Sequence, residues 1–245
     1  MSKWTVFDLI KLMLYIIATP IGNLNDLSFR ALETLKEVDL ILCEDTRVTK
    51  KLLTSFKIPK PTVSYHQHSK LTKLKYILEE VRKGKNFALV SDAGTPCISD
   101  PGAKLITYLI EQIPDLKIVS IPGPSALISA LSVSGFLANK FIFLGFPPIK
   151  KKRNKYFQEI VKLKQTIVFY ESIHRIIKTL ENLKDVLDSE RKVVVCRELT
   201  KKFETIYRGN IEEIIKQINS LPKEELRGEF VIVIDKKLRR AGQVI

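Results

Sequence analysis

Acidic, hydroxyl and basic side chains follow directly after an apolar run at residues 38–43, VDLILC. They are Glu44, Asp45, Thr46 and Arg47, four consecutive residues. Two carboxylates, a hydroxyl and a guanidinium are groups that can transfer protons and bind anions, so the cluster is a candidate for chemistry. The alternative is a solvated helix start, at which the helix dipole favours acidic side chains.

A second candidate is the stretch SDAGTPCISDPGA at residues 91–103, which follows the apolar run FALV. Asp92 could accept hydrogen bonds from ligand hydroxyls or amines, and Gly94 permits a positive φ. Asp100 is expected to cap a helix whose first turn holds Pro101. A loop and a cap explain only those last two residues, so the remainder predicts a ligand-binding loop.

Two further glycine turns precede predicted helices. Gly22 lies in ATPIGNLNDLS, before a helix that starts near Ser28, and Gly123 lies in IPGPSAL, where Pro124 is expected to start a helix. Neither stretch matches GxGxxG or a GxxxxGK phosphate loop, so dinucleotide and ordinary nucleoside triphosphate binding lose support. Three such loops at one sheet edge predict a pocket built from main chain, because backbone amides at helix starts are free to meet a ligand.

Short β-branched runs separated by helical patterns must position these loops. In the first half of the chain the runs lie at residues 14–18, 38–43, 61–65, 87–90 and 117–121. This alternation predicts an α/β fold with a parallel sheet covered by helices. Ligands of such a sheet bind beyond the carboxyl ends of its strands, which is where the three loops and the acidic cluster fall.

A second series of runs begins near residue 140. These runs lie at residues 141–145, 166–170, 192–196, 204–207 and 229–234, and fewer helical patterns separate them, so their sheet is expected to be mixed. We predict two α/β domains, at residues 13–139 and 140–237. Residues 1–12 are expected to form an N-terminal extension, and residues 238–245 a basic tail.

Composition narrows the functional class. The 245 residues are 45% hydrophobic, which argues against disorder, and the net charge of +14 favours a polyanionic partner such as nucleic acid. The alternative is that genome composition sets this charge, because the chain is rich in both lysine and isoleucine. Cys43, Cys97 and Cys196 lack CxxC spacing and are expected to be free thiols in a reducing cytoplasm. His66 and His68 lack a third ligand at metal spacing, so no metal site is predicted. No apolar stretch reaches the about eighteen residues of a membrane span, so we expect a soluble protein.

Polar residues also follow two strands of the second half. In FYESIHR, Ser172 is expected to cap a helix, and His174 is expected to be structural. The other polar candidates in this stretch and in CRELTKKFE are Tyr170, Glu171, Arg175, Arg197, Glu198, Lys201 and Lys202.

Seven stretches, taken together and in this order, resemble the ribosomal RNA small subunit methyltransferase I family. They are LYIIATPIGNLNDLSFRALETL, DLILCEDTRVTKKLL, LVSDAGTPCISDPG, IPGPSAL, FYESIHR, CRELTKKFE and RGEFVIVI. The resemblance runs from about Met13 to Asp235, and CEDTR with SDAGTP is specific to this branch of the tetrapyrrole-methylase-like superfamily. Members of the family methylate the 2′-hydroxyl of a cytidine in 16S ribosomal RNA with S-adenosylmethionine.

The resemblance implies two α/β domains with S-adenosylmethionine in the cleft between them. It also implies a homodimer that acts on 16S ribosomal RNA in the small ribosomal subunit. The implied cofactor-binding residues of the first domain and its border are Pro20, Gly22, Asn23, Asp92, Gly94, Thr95, Pro96, Pro122, Gly123, Ser125 and Ala126. Those of the second domain are Tyr170, Glu171, Ser172, Arg197 and Glu198.

Methylation of a ribose hydroxyl requires an oxygen held in line with the methyl group, and a carboxylate or a lysine with a lowered pKa would help to remove its proton. We hypothesise that Glu44, Asp45 and Arg47 lie beside the ribose and phosphates, with Lys201 as a second candidate base. No spacing selects one base among them. Candidate contacts to the RNA backbone are Lys150, Lys151, Lys152, Arg153, Arg175, Lys201, Lys202 and the tail at residues 236–240. A solvated charged loop is the alternative for any one lysine.

Two other functions are considered. A superfamily member acting on a tetrapyrrole or another small acceptor would carry a GPGDP-type first loop, which TPIGNLND replaces here. A non-catalytic RNA-binding or ribosome-assembly factor could retain the fold, although the intact loops argue against it. Longer family members continue into a small helical domain, so contacts made by that extension are expected to be absent here or replaced by the basic tail.

Overall fold

The structure is a computed structural model that describes residues 12–66, 69, 71–222 and 227–236. The described residues form two compact units, which divide between Ser125 and Ala126. The expected domain limits at residues 139 and 140 stay a prediction. The expectations for residues 1–11, for His68 and for the basic tail beyond residue 236 lie outside the described residues.

Five parallel strands form the sheet of the first unit. They are β1 (Met13–Ile17), β2 (Leu40–Cys43), β3 (Thr62–Ser64), β4 (Phe87–Val90) and β5 (Lys117–Ile121). Their order across the sheet is β3-β2-β4-β1-β5, and every neighbouring pair is parallel. Each predicted run of the first half overlaps one of these strands, so the predicted parallel sheet is confirmed.

Helices cover both faces of this sheet. They are α1 (Phe29–Glu37), α2 (Thr46–Ser55), α3 (Leu71–Arg82) and α4 (Gly102–Gln112), with one 3-10 turn at Leu24–Asp26. Successive side chains of a strand point to opposite faces, so β1 sends Ile17 into the core beneath α1 and α2, and Leu14 into the core beneath α3 and α4. Because both faces are buried, the strands are continuous apolar runs instead of alternating patterns.

The second unit contains a mixed sheet, as predicted. Its strands are β6 (Phe141–Phe143), β7 (Thr166–Ser172), β8 (Val193–Arg197), β9 (Thr205–Gly209) and β10 (Glu229–Ile234). The order is β6-β7-β10-β8-β9. Among the described strands of this sheet, only β6 and β7 form a parallel pair, and the other neighbouring pairs are antiparallel.

Four helices pack against this second sheet. They are α5 (Ala126–Ser134), α6 (Arg153–Ile160), α7 (Ile176–Lys184) and α8 (Ile211–Asn219). One face of the sheet forms a core with α6, α7 and α8, in which Phe157, Phe169 and Phe230 are almost completely buried. Helix α5 contacts β7 and β10. Among the described helices, none combines the length and the apolar composition that a membrane span requires.

The start of α4 differs from the expected one. Pro101 occupies the N-cap position, one residue before the first turn in which it was expected. The Asp100 carboxylate accepts hydrogen bonds from the amides of Cys97 at 2.7 Å and Gly102 at 2.8 Å. Asp100 therefore satisfies the first helical amide, but it does so from the residue before the N-cap.

Two other expected helix starts are wrong. Pro124 lies two residues before α5, which begins at Ala126. Ser172 does not cap α7, because its backbone pairs with Glu229 as the last residue of β7. Arg175 holds the N-cap position of α7 instead.

We expect Phe169→Ala to destabilise the second unit by about 3–5 kcal/mol, because the side chain is fully buried and its removal leaves a cavity. The control is Phe203→Ala, whose side chain is 63% exposed and whose loss should change stability by about 0.5 kcal/mol or less. Urea unfolding followed by circular dichroism measures both. Equal losses for the two variants would contradict the assigned core.

Candidate functional site

Four loops carry the predicted site residues of the first unit, and each leaves the carboxyl end of a parallel strand. These strands are β1, β2, β4 and β5, and they are neighbours in the order β2-β4-β1-β5. Their carboxyl ends lie at one edge of the sheet, where open α/β sheets bind their ligands. The structure therefore brings the three glycine loops and the acidic cluster to the same edge.

A pair of backbone hydrogen bonds ties the loop after β1 to the loop after β4. The amide of Thr19 donates to the carbonyl of Gly94, and the amide of Gly94 donates to the carbonyl of Thr19, both at 3.0 Å. The Thr19 hydroxyl donates to Ser91 O at 3.1 Å, and the Ser91 hydroxyl donates to Gly94 O at 3.0 Å. Gly94 has a φ of +83°, and a Cβ there would lie 3.3 Å from Ile21 Cγ2, so a side chain would strain this tie.

The loop after β5 is fixed to the same pair of loops. The amide of Ala18 donates to Ile121 O at 3.2 Å, and the hydroxyl of Thr95 donates to Pro124 O at 3.1 Å. A Cβ on Gly123 would lie 3.1 Å from the Cβ of Ala18, so glycine permits the close approach of these two loops. Backbone and hydroxyl hydrogen bonds thus hold all three loops in one arrangement.

The other residues predicted to bind the cofactor through the first unit lie in or directly after these loops. Pro96 is buried, Pro122 is exposed, and Pro20, Ser125 and Ala126 are half-buried. The side chain of Asn23 accepts a hydrogen bond from the Asn25 amide at 3.0 Å and caps the 3-10 turn. Gly22 and Gly123 are exposed, and their amides make no hydrogen bond among the described residues, so both amides can donate to a ligand.

Asp45 links the acidic cluster to the loop after β4. Its amide donates to Asp92 Oδ1 at 3.0 Å, and its carboxylate accepts the amide of Arg47 at 2.8 Å as the N-cap of α2. Arg47 Nη2 also lies 2.7 Å from Asp45 Oδ2. The hydrogen bonds from the Arg47 side chain and backbone lower the pKa of Asp45 to about 2. Asp45 therefore stays ionised, and it is a weak base.

The neighbouring carboxylate, Glu44, has different surroundings. It lines a small pocket together with Tyr65, Ser91 and Asp100. Although Glu44 is exposed at the surface, partial burial raises its pKa, and the negative charges of Asp92 and Asp100 raise the pKa further. Glu44 can therefore exchange a proton at a higher pH than an ordinary glutamate.

Asp92 is the third carboxylate at this edge. Burial raises its pKa and the charge of Asp45 adds to the increase, whereas the hydrogen bond from the Asp45 amide lowers it. Glu44, Asp92 and Asp100 together give the edge a negative potential. Such a site suits a cationic ligand group.

In the second unit, Tyr170 lies in a row of aromatic rings. Its ring centroid is 5.0 Å from that of Phe143 and 5.5 Å from that of Phe146. Burial raises the pKa of the Tyr170 hydroxyl. Phe146, at the end of the row, is 52% exposed, so the row reaches the surface of this unit.

Glu171 belongs to a buried polar network. Its Oε1 accepts hydrogen bonds from Arg175 Nη2 at 2.7 Å and from the Ser172 amide at 2.8 Å, and its Oε2 accepts the Thr179 hydroxyl at 2.5 Å. Arg153 Nη2 donates to the same hydroxyl at 2.7 Å. The carboxylate predicted to bind the cofactor is thus surrounded by two guanidinium groups predicted to bind RNA. Their direct contacts with ligands stay predictions.

The residues after β8 form a second ionic group. Arg197 is buried and donates to Arg227 O at 2.9 Å. Lys201 Nζ lies 2.8 Å from Glu198 Oε1 and 3.1 Å from Glu229 Oε2. Burial lowers the pKa of Lys201, but the hydrogen bonds to the two carboxylates outweigh burial and raise the pKa above its ordinary value. Lys201 thus lacks the lowered pKa that would favour a lysine base, and its catalytic role stays a prediction.

Other residues predicted to bind RNA are exposed, namely Lys150, Lys151, Lys152 and Lys202. The ammonium group of Lys202 lies 5.5 Å from the centre of the Phe203 ring. His66 and His174 are also exposed. Within the described ranges, no group of histidine, cysteine, aspartate and glutamate side chains could hold a metal ion.

Sequence reasoning missed three hydroxyl residues. Two of them hold the loops of the first unit, and the third belongs to the buried network around Glu171. Thr19 and Ser91 directly follow apolar runs, and a hydroxyl residue at a strand end was the signal that could have identified them. Thr179 offered no local signal, because its partners Glu171 and Arg153 lie 8 and 26 residues away along the chain.

Two solved methyltransferases share this fold. The cobalamin biosynthetic enzyme cobalt precorrin-4 methyltransferase aligns with a TM-score of 0.66 at 18% identity, over 92% of this chain and 95% of that chain. A uroporphyrin-III-C-methyltransferase from Thermus thermophilus aligns with a TM-score of 0.60 at 15% identity, over 91% and 94% of the two chains. These similarities show the fold that the chain shares with these two enzymes.

Sequence comparison then identifies the family. The family model of tetrapyrrole (corrin/porphyrin) methylases matches residues 13–215. The ribosomal RNA small subunit methyltransferase I of Bacillus subtilis (strain 168) is 45% identical over 226 residues, which cover 91% of this chain and 75% of that protein. The protein of the same name from Thermotoga maritima is 43% identical over 224 residues, which cover 91% and 98%. The chain therefore belongs to the tetrapyrrole methylases and, within them, to the ribosomal RNA small subunit methyltransferase I family.

We expect Arg47→Ala to raise the pKa of Asp45 from about 2 toward its ordinary value of 3.8, because the hydrogen bonds from the guanidinium are lost. Carboxyl ¹³C NMR across an acid titration measures this pKa. Since folding lowers this pKa, the pair stabilises the fold above pH 3.8, and its stabilisation is lost as the pH falls through about 2. An Asp45 pKa that is the same in the variant and the parent would contradict the assigned ion pair.

Proposed function

We propose that this protein transfers the methyl group of S-adenosylmethionine to the 2′-hydroxyl of a cytidine in 16S ribosomal RNA. The observation that carries the proposal is the set of three tied loops beside Glu44, at the carboxyl edge of the first sheet. The curated relatives are named as methyltransferases of small-subunit ribosomal RNA. The geometry thus supplies a candidate site, and the relatives supply the class of substrate.

The residues of this edge fit S-adenosylmethionine. Gly94 and Gly123 allow the three loops to come close to one another, and the amides of the exposed residues Gly22 and Gly123 can donate hydrogen bonds to a ligand. Asp92 offers a carboxylate to the ligand's hydroxyl or amino groups. The negative potential of the edge suits a sulfonium, which is a cation. When bound, S-adenosylmethionine supplies a methyl group that its sulfonium activates for transfer.

Glu44 is the base that the surroundings favour. Asp45 caps α2 and pairs with Arg47, and Lys201 is held in its charged form by two carboxylates. Glu44 has a raised pKa and is exposed beside the tied loops, so its carboxylate can accept the proton of a ribose hydroxyl placed next to it. The deprotonated oxygen is the stronger nucleophile, and its alignment with the methyl group provides the remaining rate acceleration.

Positive charge supports an RNA substrate. The chain carries a net charge of +14, and Lys151, Lys152 and Lys202 are exposed. Ammonium groups that contact phosphates release counterions, and this release favours binding. We propose the small ribosomal subunit as the form in which the RNA is recognised. We also propose that the protein acts as a homodimer and that it acts in the cytoplasm, where ribosomes are assembled.

Incubation of the protein with S-adenosylmethionine and unmethylated small ribosomal subunits should produce 2′-O-methylcytidine. Mass spectrometry of nucleosides from the digested RNA detects the product, and naked 16S RNA in parallel tests whether the assembled subunit is required. The expected result is methylation of the subunits and little or none of the naked RNA.

Two outcomes would contradict this proposal in different ways. If no methylated nucleoside forms although calorimetry shows that the cofactor binds, the acceptor is wrong. If the cofactor does not bind, the assignment of the loop edge is wrong.

Glu44→Gln should lower kcat by about a hundredfold, because the amide cannot accept the proton. In the parent protein, kcat/KM should fall as the pH is lowered through a pKa above the ordinary glutamate value, since the base must be ionised. Single-turnover methylation across a pH series measures both effects.

Asp45→Asn is the matched control, because asparagine preserves the N-cap of α2 and changes charge as Glu44→Gln does. We expect its kcat to stay within about tenfold of the parent value. Full turnover in both variants would exclude a catalytic role for this pair, and a larger loss in Asp45→Asn than in Glu44→Gln would reverse the assignment.

A further inference from the structure

Two arginines, buried Arg153 and half-buried Arg175, hold one loop of the second unit, residues 145–152, which we call the basic loop. Arg175 Nη1 donates to Pro147 O at 3.0 Å, and Arg153 Nη1 donates to Pro148 O at 3.0 Å. Two successive carbonyls are therefore each bound by a different guanidinium. Prolines have no amide hydrogen, so the backbone of Pro147 and Pro148 can form hydrogen bonds only through its carbonyl groups. The two arginines bind these carbonyl groups.

Both guanidinium groups are anchored on Glu171, which is 1% exposed. Arg175 pairs with it directly at 2.7 Å, and Arg153 reaches it through the hydroxyl of Thr179. Arg153 Nε also donates to Asn182 Oδ1 at 2.9 Å, and the Arg153 residue is 5% exposed. Burial of these charges is costly unless each is paired, so the removal of one partner should release the groups that it holds.

The ends of the basic loop are fixed as well. The carbonyl of Gly145 accepts the amide of Tyr170 at 2.8 Å, which continues the pairing of β6 with β7. The carbonyl of Lys150 accepts the amide of Arg153 at 3.4 Å, at the start of α6. The loop is thus fastened at both ends and at its two prolines.

The basic loop presents positive charge to solvent. Lys150, Lys151 and Lys152 are consecutive and exposed, and the loop sequence GFPPIKKK contains no acidic residue. Phe146 is 52% exposed at the other end of the loop. Ammonium groups and an exposed aromatic ring on one loop are a combination that binds single-stranded nucleic acid, through phosphates and stacked bases.

We infer that Glu171 is a positioning residue for RNA binding. Through Arg153 and Arg175 it holds the basic loop, so that the lysines of the loop contact RNA phosphates in a fixed arrangement. The inference rests on the proposed function. It gives Glu171 and the two arginines a role through the loop instead of direct contact with the cofactor or with RNA. A loop that is already ordered loses less conformational entropy when RNA binds.

Thr179→Val tests the inference without changing any charge. Valine keeps the shape of threonine but removes the hydroxyl that joins Glu171 to Arg153. We expect about tenfold weaker binding to unmethylated small ribosomal subunits, faster trypsin cleavage after Lys150, Lys151 and Lys152, and unchanged affinity for S-adenosylmethionine. The matched control is Thr166→Val, which removes a buried hydroxyl of the same unit that donates to Leu137 O at 2.7 Å. This control should leave binding and cleavage unchanged.

A double-mutant cycle separates positioning from general destabilisation. In a protein whose three loop lysines are replaced by alanine, Thr179→Val should cause no further loss of binding, because the groups that it positions are gone. Asn182→Ala provides a milder variant if Thr179→Val does not fold, and it should weaken binding in the same direction. Additive losses in the cycle, or folded variants that bind like the parent, would overturn the inference.

The same experiment distinguishes failure of the proposed function from failure of this inference. If the parent protein does not bind the subunits, the proposed function fails and the inference falls with it. If the parent binds and Thr179→Val binds equally well, only the inference fails. Faster trypsin cleavage in the loop together with weaker binding supports both.

Discussion

Two hydrogen bonds between the backbones of Thr19 and Gly94 fix the edge on which the candidate site depends. Loops that leave parallel strands are free to diverge, and this pair of hydrogen bonds joins the loops after the central strand β4 and its neighbour β1. The positive φ of Gly94 and the close approach at Gly123 are the backbone conditions that allow the arrangement. The site is therefore held by main chain, and its side chains are left for chemistry.

Charge is distributed differently in the two units. At the edge of the first sheet, Arg47 neutralises Asp45, whereas Glu44 and Asp92 keep raised pKa values. Carboxylates in different environments can divide the roles of structural partner and base between them. In the second unit, cations surround the buried carboxylate of Glu171 and fasten a loop that displays further cations. In both units, ion pairs therefore hold charged side chains next to the residues to which we assign a function.

The sequence predicted the sheets well because their strands are apolar where they are buried, and β4 lies at the predicted residues 87–90. It also placed Gly94 and Gly123 in loops, since only local backbone chemistry is involved. It failed where partners are distant in the chain. The network of Arg153 and Glu171, and the carboxylates that raise the pKa of Lys201, depend on tertiary packing. Helix starts at Ser172 and Pro124 were misplaced for a similar reason, because strand pairing and loop contacts override capping preference.

Hydrogen–deuterium exchange with and without S-adenosylmethionine tests most directly whether the tied loops bind the cofactor. We predict slower exchange in the presence of cofactor for peptides that cover residues 18–23, 91–96 and 121–126. Peptides from α3, which lies outside these loops, should exchange at the same rate in both conditions. Cofactor-dependent protection that is confined to other segments, with the three loops unchanged, would contradict the assignment of the site.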